Sequence, residues 1–260
     1  MMIKSLRNLW VLMCLSLLLA GCVNVQKMEQ KKDIDDAVAA RVKAAMEYLR
    51  YDQPNEAKRH LSDAVSMRPK SPMVQNGLAM LYRYLHDPAN EEAHLKLALK
   101  YDSAYAPARN NYGIMLASQK RYPEAIKQFE LAASDLDNAG SGLAYANLGR
   151  CYELTGDQDK AIWAYQKSIL LNSAGPDIYL NLASIYFGRS DYTSAQRYYD
   201  SYIKFQNPQG PDGLWLGIRL AAQANNSNAQ SSYELALKNL YPNSAQYQAW
   251  QKWSQGQGSR

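Results

Sequence analysis

Residues that carry chemistry are scarce in this chain: 260 residues hold only three histidines and three cysteines. His60, His86 and His94 crowd into one stretch with no spacing that a metal site needs, so solvated or partly packed side chains are the simpler reading. Cys14 and Cys22 sit near the N-terminus, which leaves Cys151 alone in the body of the chain. One thiol cannot form an internal disulfide even in an oxidising compartment, and Cys151, beside Tyr152, reads as a small buried hydrophobe rather than a nucleophile. There is no phosphate-binding glycine loop and no Gly-x-Ser-x-Gly turn. The net charge is +5, yet acidic and basic residues are interspersed, and no basic block argues for nucleic acid. No cofactor, metal or small-molecule substrate is expected, and an enzyme would need a second domain for which the repeats leave no room.

What is present begins at the N-terminus. Lys4 and Arg7 precede an apolar run from Leu9 to Leu19, the length of a signal-peptide core and too short for a membrane span of roughly 20 residues. Leu19-Ala20-Gly21-Cys22 then has the form of a lipobox. Residues 1–21 are read as a lipoprotein signal peptide, with cleavage after Gly21 and lipid on Cys22. An ordinary signal peptide with an incidental cysteine is the alternative, disfavoured because the cysteine follows the small pair directly. Several acyl chains on one residue anchor a protein durably where a single chain does not. Val23 after the cysteine, rather than Asp, favours sorting to the outer membrane, so a lipid-anchored body facing the periplasm is expected. No second long apolar run follows.

Twenty tyrosines against three phenylalanines find their reason in a repeat. In a 34-residue frame with one two-residue slip, position 8 is Ala45, Ala79, Gly113, Gly149, Ala183 and Gly217. Position 20 is Ala57, Glu91, Ala125, Ala161, Ala195 and Ala229, small in all but one case. Large residues recur at position 11 (Tyr48, Tyr82, Leu116, Tyr152, Tyr186, Leu220) and at position 24 (Leu61, Leu95, Phe129, Tyr165, Tyr199, Tyr233). That is the tetratricopeptide pattern of paired helices. Small residues let helices A and B approach, and large ones fill the layer between neighbours. The tyrosines are therefore read as core residues with the hydroxyl at an edge. The expected fold is all-α: a tetratricopeptide (TPR) superhelix of about six helix pairs behind the signal peptide.

Prolines that open or stop helices (Pro72, Pro107, Pro123, Pro176, Pro211) and turns such as Gly156-Asp157 and Arg189-Ser190-Asp191 set the boundaries. The expected organisation is a lipidated cysteine and tether over 22–37, six repeats over 38–243, and a capping helix with a disordered tail over 244–260. The slip falls in the loop Asp137–Ser141. A cap is needed because the last repeat otherwise exposes an apolar face.

In this architecture the A helices line a concave wall. The residues placed on it are Val42, Met46, Leu49, Met73, Asn76, Met80, Arg83, Tyr84, Asn110, Ile114 and Arg150. Methionine and leucine where a solvated groove would be polar suit an apolar segment of a partner protein. The competing reading is that residues 33–37 or the tether fold over this surface.

At this point the chain resembles a known family, the type IV pilus biogenesis/stability lipoproteins, or PilF/PilW-type secretin pilotins. The likeness runs from the lipobox to about Tyr247. It is most specific in Asn110-Asn111-Tyr112-Gly113, Ala195-Gln196-Arg197-Tyr198-Tyr199-Asp200, Leu216-Gly217-Ile218-Arg219-Leu220-Ala221 and Leu240-Tyr241-Pro242-Asn243-Ser244. The resemblance implies a partner, the type IV pilus secretin, and a role in delivering it to the outer membrane or assembling its ring, hence twitching motility. Glu91 at a normally small position departs from the pattern and leaves the packing of the second repeat open. A general TPR scaffold lipoprotein, serving outer-membrane protein assembly or cell-wall enzymes, is the alternative.

Overall fold

In a computed structural model the described residues are 28, 30–134, 140–206 and 208–257. Residues 1–21, read above as a signal peptide, Cys22 and residues 135–139 of the slip loop lie outside them. The described residues hold thirteen helices and no strand. The first, α1, covers residues 30–50. It is followed by α2 (Pro54–Met67), α3 (Pro72–Tyr84), α4 (Pro88–Tyr101), α5 (Ala106–Ser118), α6 (Tyr122–Ala133), α7 (Ser141–Leu154) and α8 (Gln158–Leu170). Then come α9 (Pro176–Gly188), α10 (Tyr192–Phe205), α11 (Pro211–Gln223), α12 (Ser227–Leu240) and α13 (Ala245–Gln257). None is long and apolar enough to cross a membrane.

One turn recurs between the A and B helices. A residue with positive φ stands at Asp52, His86, Lys120, Gly156, Ser190 and Asn225. The next residue's amide then reaches back to a carbonyl five residues earlier, as in Asp157 N–H to Tyr152 O at 2.9 Å and Asp191 N–H to Tyr186 O at 3.0 Å. This left-handed closure satisfies a carbonyl that the end of helix A leaves orphaned. The residue that closes A also caps B: the side chains of Asp87, Asp157, Asp191 and Asn226 accept from Asn90, Lys160, Ser194 and Ala229 N–H. Each such cap stabilises its helix by about 1 kcal/mol.

The expected frame holds through the fifth repeat and then slips once more. The equivalents of Pro176, Tyr192 and Ser190 are Pro211, Ser227 and Asn225, and the carbonyl that closes the last turn is that of Ala221 rather than Leu220. The last repeat is thus offset by one residue. Ala229 is accordingly only half-buried, while Leu237 takes the fully buried place of Tyr202.

The chain packs as two units, up to Met115 and from Leu116. In the first, Val38, Val42, Ala45, Ala57, Leu61, Ala64, Val74 and Leu81 form the core. Here the tether expected over 22–37 is corrected for residues 30–37, whereas 22–27 and 29 lie outside the described residues. From residue 30 the chain is helical, Ile34 packs on this core, and Arg68 binds Asp35 at 2.9 Å. Residues 33–37 therefore extend α1 instead of folding over it.

In the second unit Ala183, Ala195, Tyr199, Tyr202, Leu216 and Leu220 form one core cluster. Leu214, Ile218 and Leu237 form another, covered by Tyr247, Trp250 and Trp253 of α13, the expected cap. The buried tyrosines do place their hydroxyls on partners: Tyr152 donates to Glu130 at 2.9 Å, Tyr165 to Glu153 at 2.8 Å and Tyr199 to Gln209 at 2.6 Å. Burial raises the pKa of all three phenols, that of Tyr152 to about 12. They stay neutral donors. Glu91, which left the second repeat's packing open, is 5% exposed, and its carboxylate takes Arg83 Nε at 2.7 Å. The Arg83 Nη2 also donates to the Asn111 carbonyl at 2.9 Å. Ion pairing replaces the small-residue contact.

Candidate partner-binding site

Alternate helices of the first unit carry most of the wall expected from the sequence. Val42 is not part of it: at 9% exposure it belongs to the core, where its methyls meet the close approach of α3 at Gly77. Met46, Leu49 and Met73 are half-buried and lean on the same cluster, so they are walls first and contact surface second. Met80 and Ile114 are half-buried without belonging to a cluster. Polar neighbours are already tied down. Asn111 Nδ2 donates to Asn76 Oδ1 at 2.8 Å, Arg83 holds Glu91, and the Tyr84 hydroxyl donates to Asp52. Asn110 is half-buried too. What faces outward is thus a narrow apolar strip framed by fixed polar groups, which suits a peptide with one or two apolar anchors. Arg150 belongs to the second unit, exposed and paired with Asp177 at 2.8 Å.

His60, His94 and Cys151 are packed side chains. His60 and His94 stack on Tyr48 and Tyr82, both at 5.2 Å, and burial lowers the pKa of His94. Cys151 is buried, and desolvation raises its thiol pKa to about 11. It is protonated, hence unreactive, near neutral pH. Among the described residues no cluster could hold a metal ion.

Arg219 entered the sequence reading only within the family-like stretch 216–221, with no binding role. Its guanidinium lies over the ring of Phe187, at 4.8 Å, and over that of Trp215, at 5.0 Å. A lone cation inside the apolar run Leu214–Ala222 was the available signal.

Helix pairs of this spacing, with aromatic layers and fixed turns, define a tetratricopeptide-repeat scaffold. The Tetratricopeptide repeat family model matches residues 104–169. The type IV pilus assembly protein PilF of Pseudomonas aeruginosa is 31% identical over 236 residues, 90% of this chain and 93% of that protein. The solved structure of P. aeruginosa PilF superposes with a TM-score of 0.80 at 31% identity, over 84% of this chain and 98% of that one. That of PilW, described as a widely conserved type IV pilus biogenesis factor, gives 0.70 at 25% identity over 82% and 97%. The chain belongs to the PilF family of type IV pilus TPR proteins.

Proposed function

We propose that this chain is an outer-membrane lipoprotein that binds the type IV pilus secretin and promotes its outer-membrane localisation or multimerisation, supporting pilus biogenesis and twitching motility. The observation that carries this reading is the end-to-end match to PilF, 31% identity spanning 93% of that protein. The strip at Met80 and Ile114 offers the surface that such binding needs. Cys22, with its several acyl chains, would hold the body at the membrane where the secretin assembles.

The strip is tested with Met80→Glu. Met46 is unsuitable because it packs on the core, whereas Met80 is half-buried outside that cluster. A carboxylate desolvated against an apolar partner is costly, so the secretin recovered by co-purification should fall at least tenfold, or ~1.4 kcal/mol, with helicity unchanged by circular dichroism. Normal recovery would move the binding surface elsewhere and favour a general scaffold.

The anchor has its own test. Cys22→Ala should leave the protein out of the outer-membrane fraction and abolish twitching, because acylation and processing share that sulfur. Full outer-membrane recovery of this variant would rule the anchor out.

A further inference from the structure

Nearly every arginine among the described residues has an anion or a carbonyl to hold. Arg41, Arg50, Arg59, Arg68, Arg83, Arg121, Arg150 and Arg189 each pair with a carboxylate. Arg109 donates to the Ser103 carbonyl, and Arg197 is exposed over Tyr198. Arg219 likewise pairs with no anion or carbonyl, and among the described arginines it alone has a buried nitrogen without a partner. It is half-buried, its Nε is sealed from solvent, and that N–H has no acceptor. Desolvation lowers its pKa, though an arginine so far above neutrality keeps its charge.

A buried donor left without an acceptor is costly, and a charged one more so. Phe187 and Trp215 explain only part of the arrangement. Rings stacked on the faces of a guanidinium stabilise its charge, but they cannot accept the N–H bonds that lie in its plane. Arg219 lines a pocket of about 670 Å³ between α9, α11, α12 and α13. Trp253 closes one side, with its ring edge-on to Trp215 at 5.8 Å. Amide and hydroxyl groups of Gln223, Asn225, Ser227 and Ser254 line the rest. The pocket also holds one carboxylate, Glu234, whose Oε1 accepts from Gln230 at 2.8 Å and does not pair with Arg219.

We infer that this pocket of the second unit is a peptide-carboxylate site, with Arg219 as the fork that receives the carboxylate. With Nε sealed, the two terminal Nη groups of this planar guanidinium are the donors left to a ligand, a fork that carboxylates match bidentately. The aromatic walls accept an apolar neighbour of the carboxylate, and the surrounding amides and hydroxyls pair with the peptide backbone. The site lies on different residues from the strip at Met80, so it does not depend on secretin binding there.

The test uses the full-length chain in detergent and three probes: N-acetyl-Ala-Phe with a free carboxylate, the same dipeptide as its amide, and N-acetyl-Asp-Phe amide. Binding is read by calorimetry and by the nitrogen–proton resonance of Arg219 Nε. At least one acid should bind with a Kd near or below about 1 mM and shift that resonance, while the uncharged amide binds at least tenfold more weakly. Preference for the free acid identifies a chain terminus, and equal binding of the Asp probe identifies a side-chain carboxylate. Arg219→Gln should weaken the bound acid at least tenfold. Should Arg219→Gln fail to fold, Glu234→Gln decides: removing the pocket's own negative charge should tighten binding about threefold. Equal binding of acid and amide, or no movement of the Nε resonance, overturns the proposal, as does a Glu234→Gln variant that binds no better.

Discussion

Gly149→Leu should cost the protein about 3 kcal/mol, the upper part of the range for forcing bulk into a packed core. The physical case rests on one ring. A Cβ at Gly149 would stand 2.5 Å from Tyr165 Cδ1 and 2.6 Å from Cε1. Tyr165 cannot step aside. It is 1% exposed, its hydroxyl donates to Glu153 at 2.8 Å, and it accepts from Asn181 at 3.1 Å. Even Gly149→Ala should be destabilising, although alanine in a helix interior ordinarily gains about 1 kcal/mol over glycine. Gly188, at the end of α9, is the control: a Cβ there meets nothing within 4 Å, so Gly188→Ala should be neutral or stabilising. Urea unfolding of the three variants checks both signs. A Gly149→Ala protein as stable as Gly188→Ala would mean that the α7–α8 contact is looser than described.

Arg83→Met should be comparably damaging, by about 3 kcal/mol. Removing one member of a buried ion pair leaves an uncompensated charge, at roughly 3–5 kcal/mol when both are fully buried. The lower figure applies because the Arg83 side chain is 29% exposed against 7% for Glu91. The Asn111 carbonyl loses its donor as well. Glu91→Ala should cost less, since the stranded arginine still reaches water. Arg83→Met with Glu91→Ala should recover most of the loss, because alanine is the buried residue at the same place in Ala57, Ala125, Ala161 and Ala195. Denaturant unfolding of the double-mutant cycle measures the coupling directly. Strict additivity would show that the pair contributes nothing as a pair.

The repeat was legible because close packing restricts residue size locally. Ala45, Ala79, Ala183 and Gly149 are buried where the 34-residue spacing places them, and the tyrosines between layers end on polar partners. The turns were legible only in part: Asp52, Gly156 and Asn225 are of the kinds that tolerate the left-handed conformation ending each A helix, whereas His86, Lys120 and Ser190 hold the same place without that preference. The candidate site was less legible. The spacing placed Val42 on the wall with Met46 and Leu49, yet α1 runs on to residue 30 and Val42 turns into the core beside Gly77. The second slip, in the last repeat, left no mark because Gly217 and Ala229 look small enough for the unshifted frame.

By itself the sequence determined the class of fold, the number of helix pairs, the capping helix and the pattern of core residues. Each of these follows from constraints that repeat along the chain at a fixed period. Only the tertiary structure decided that Glu91 is neutralised by Arg83, that residues 33–37 lengthen α1, and that Arg219 lies against Phe187 and Trp215 without an anion. Those outcomes join residues 8, 33 and 32 positions apart (Arg83 to Glu91, Asp35 to Arg68, Phe187 to Arg219). Their energies depend on which side chains share a desolvated space, and a periodic pattern of sizes carries no information about charge partners across helices.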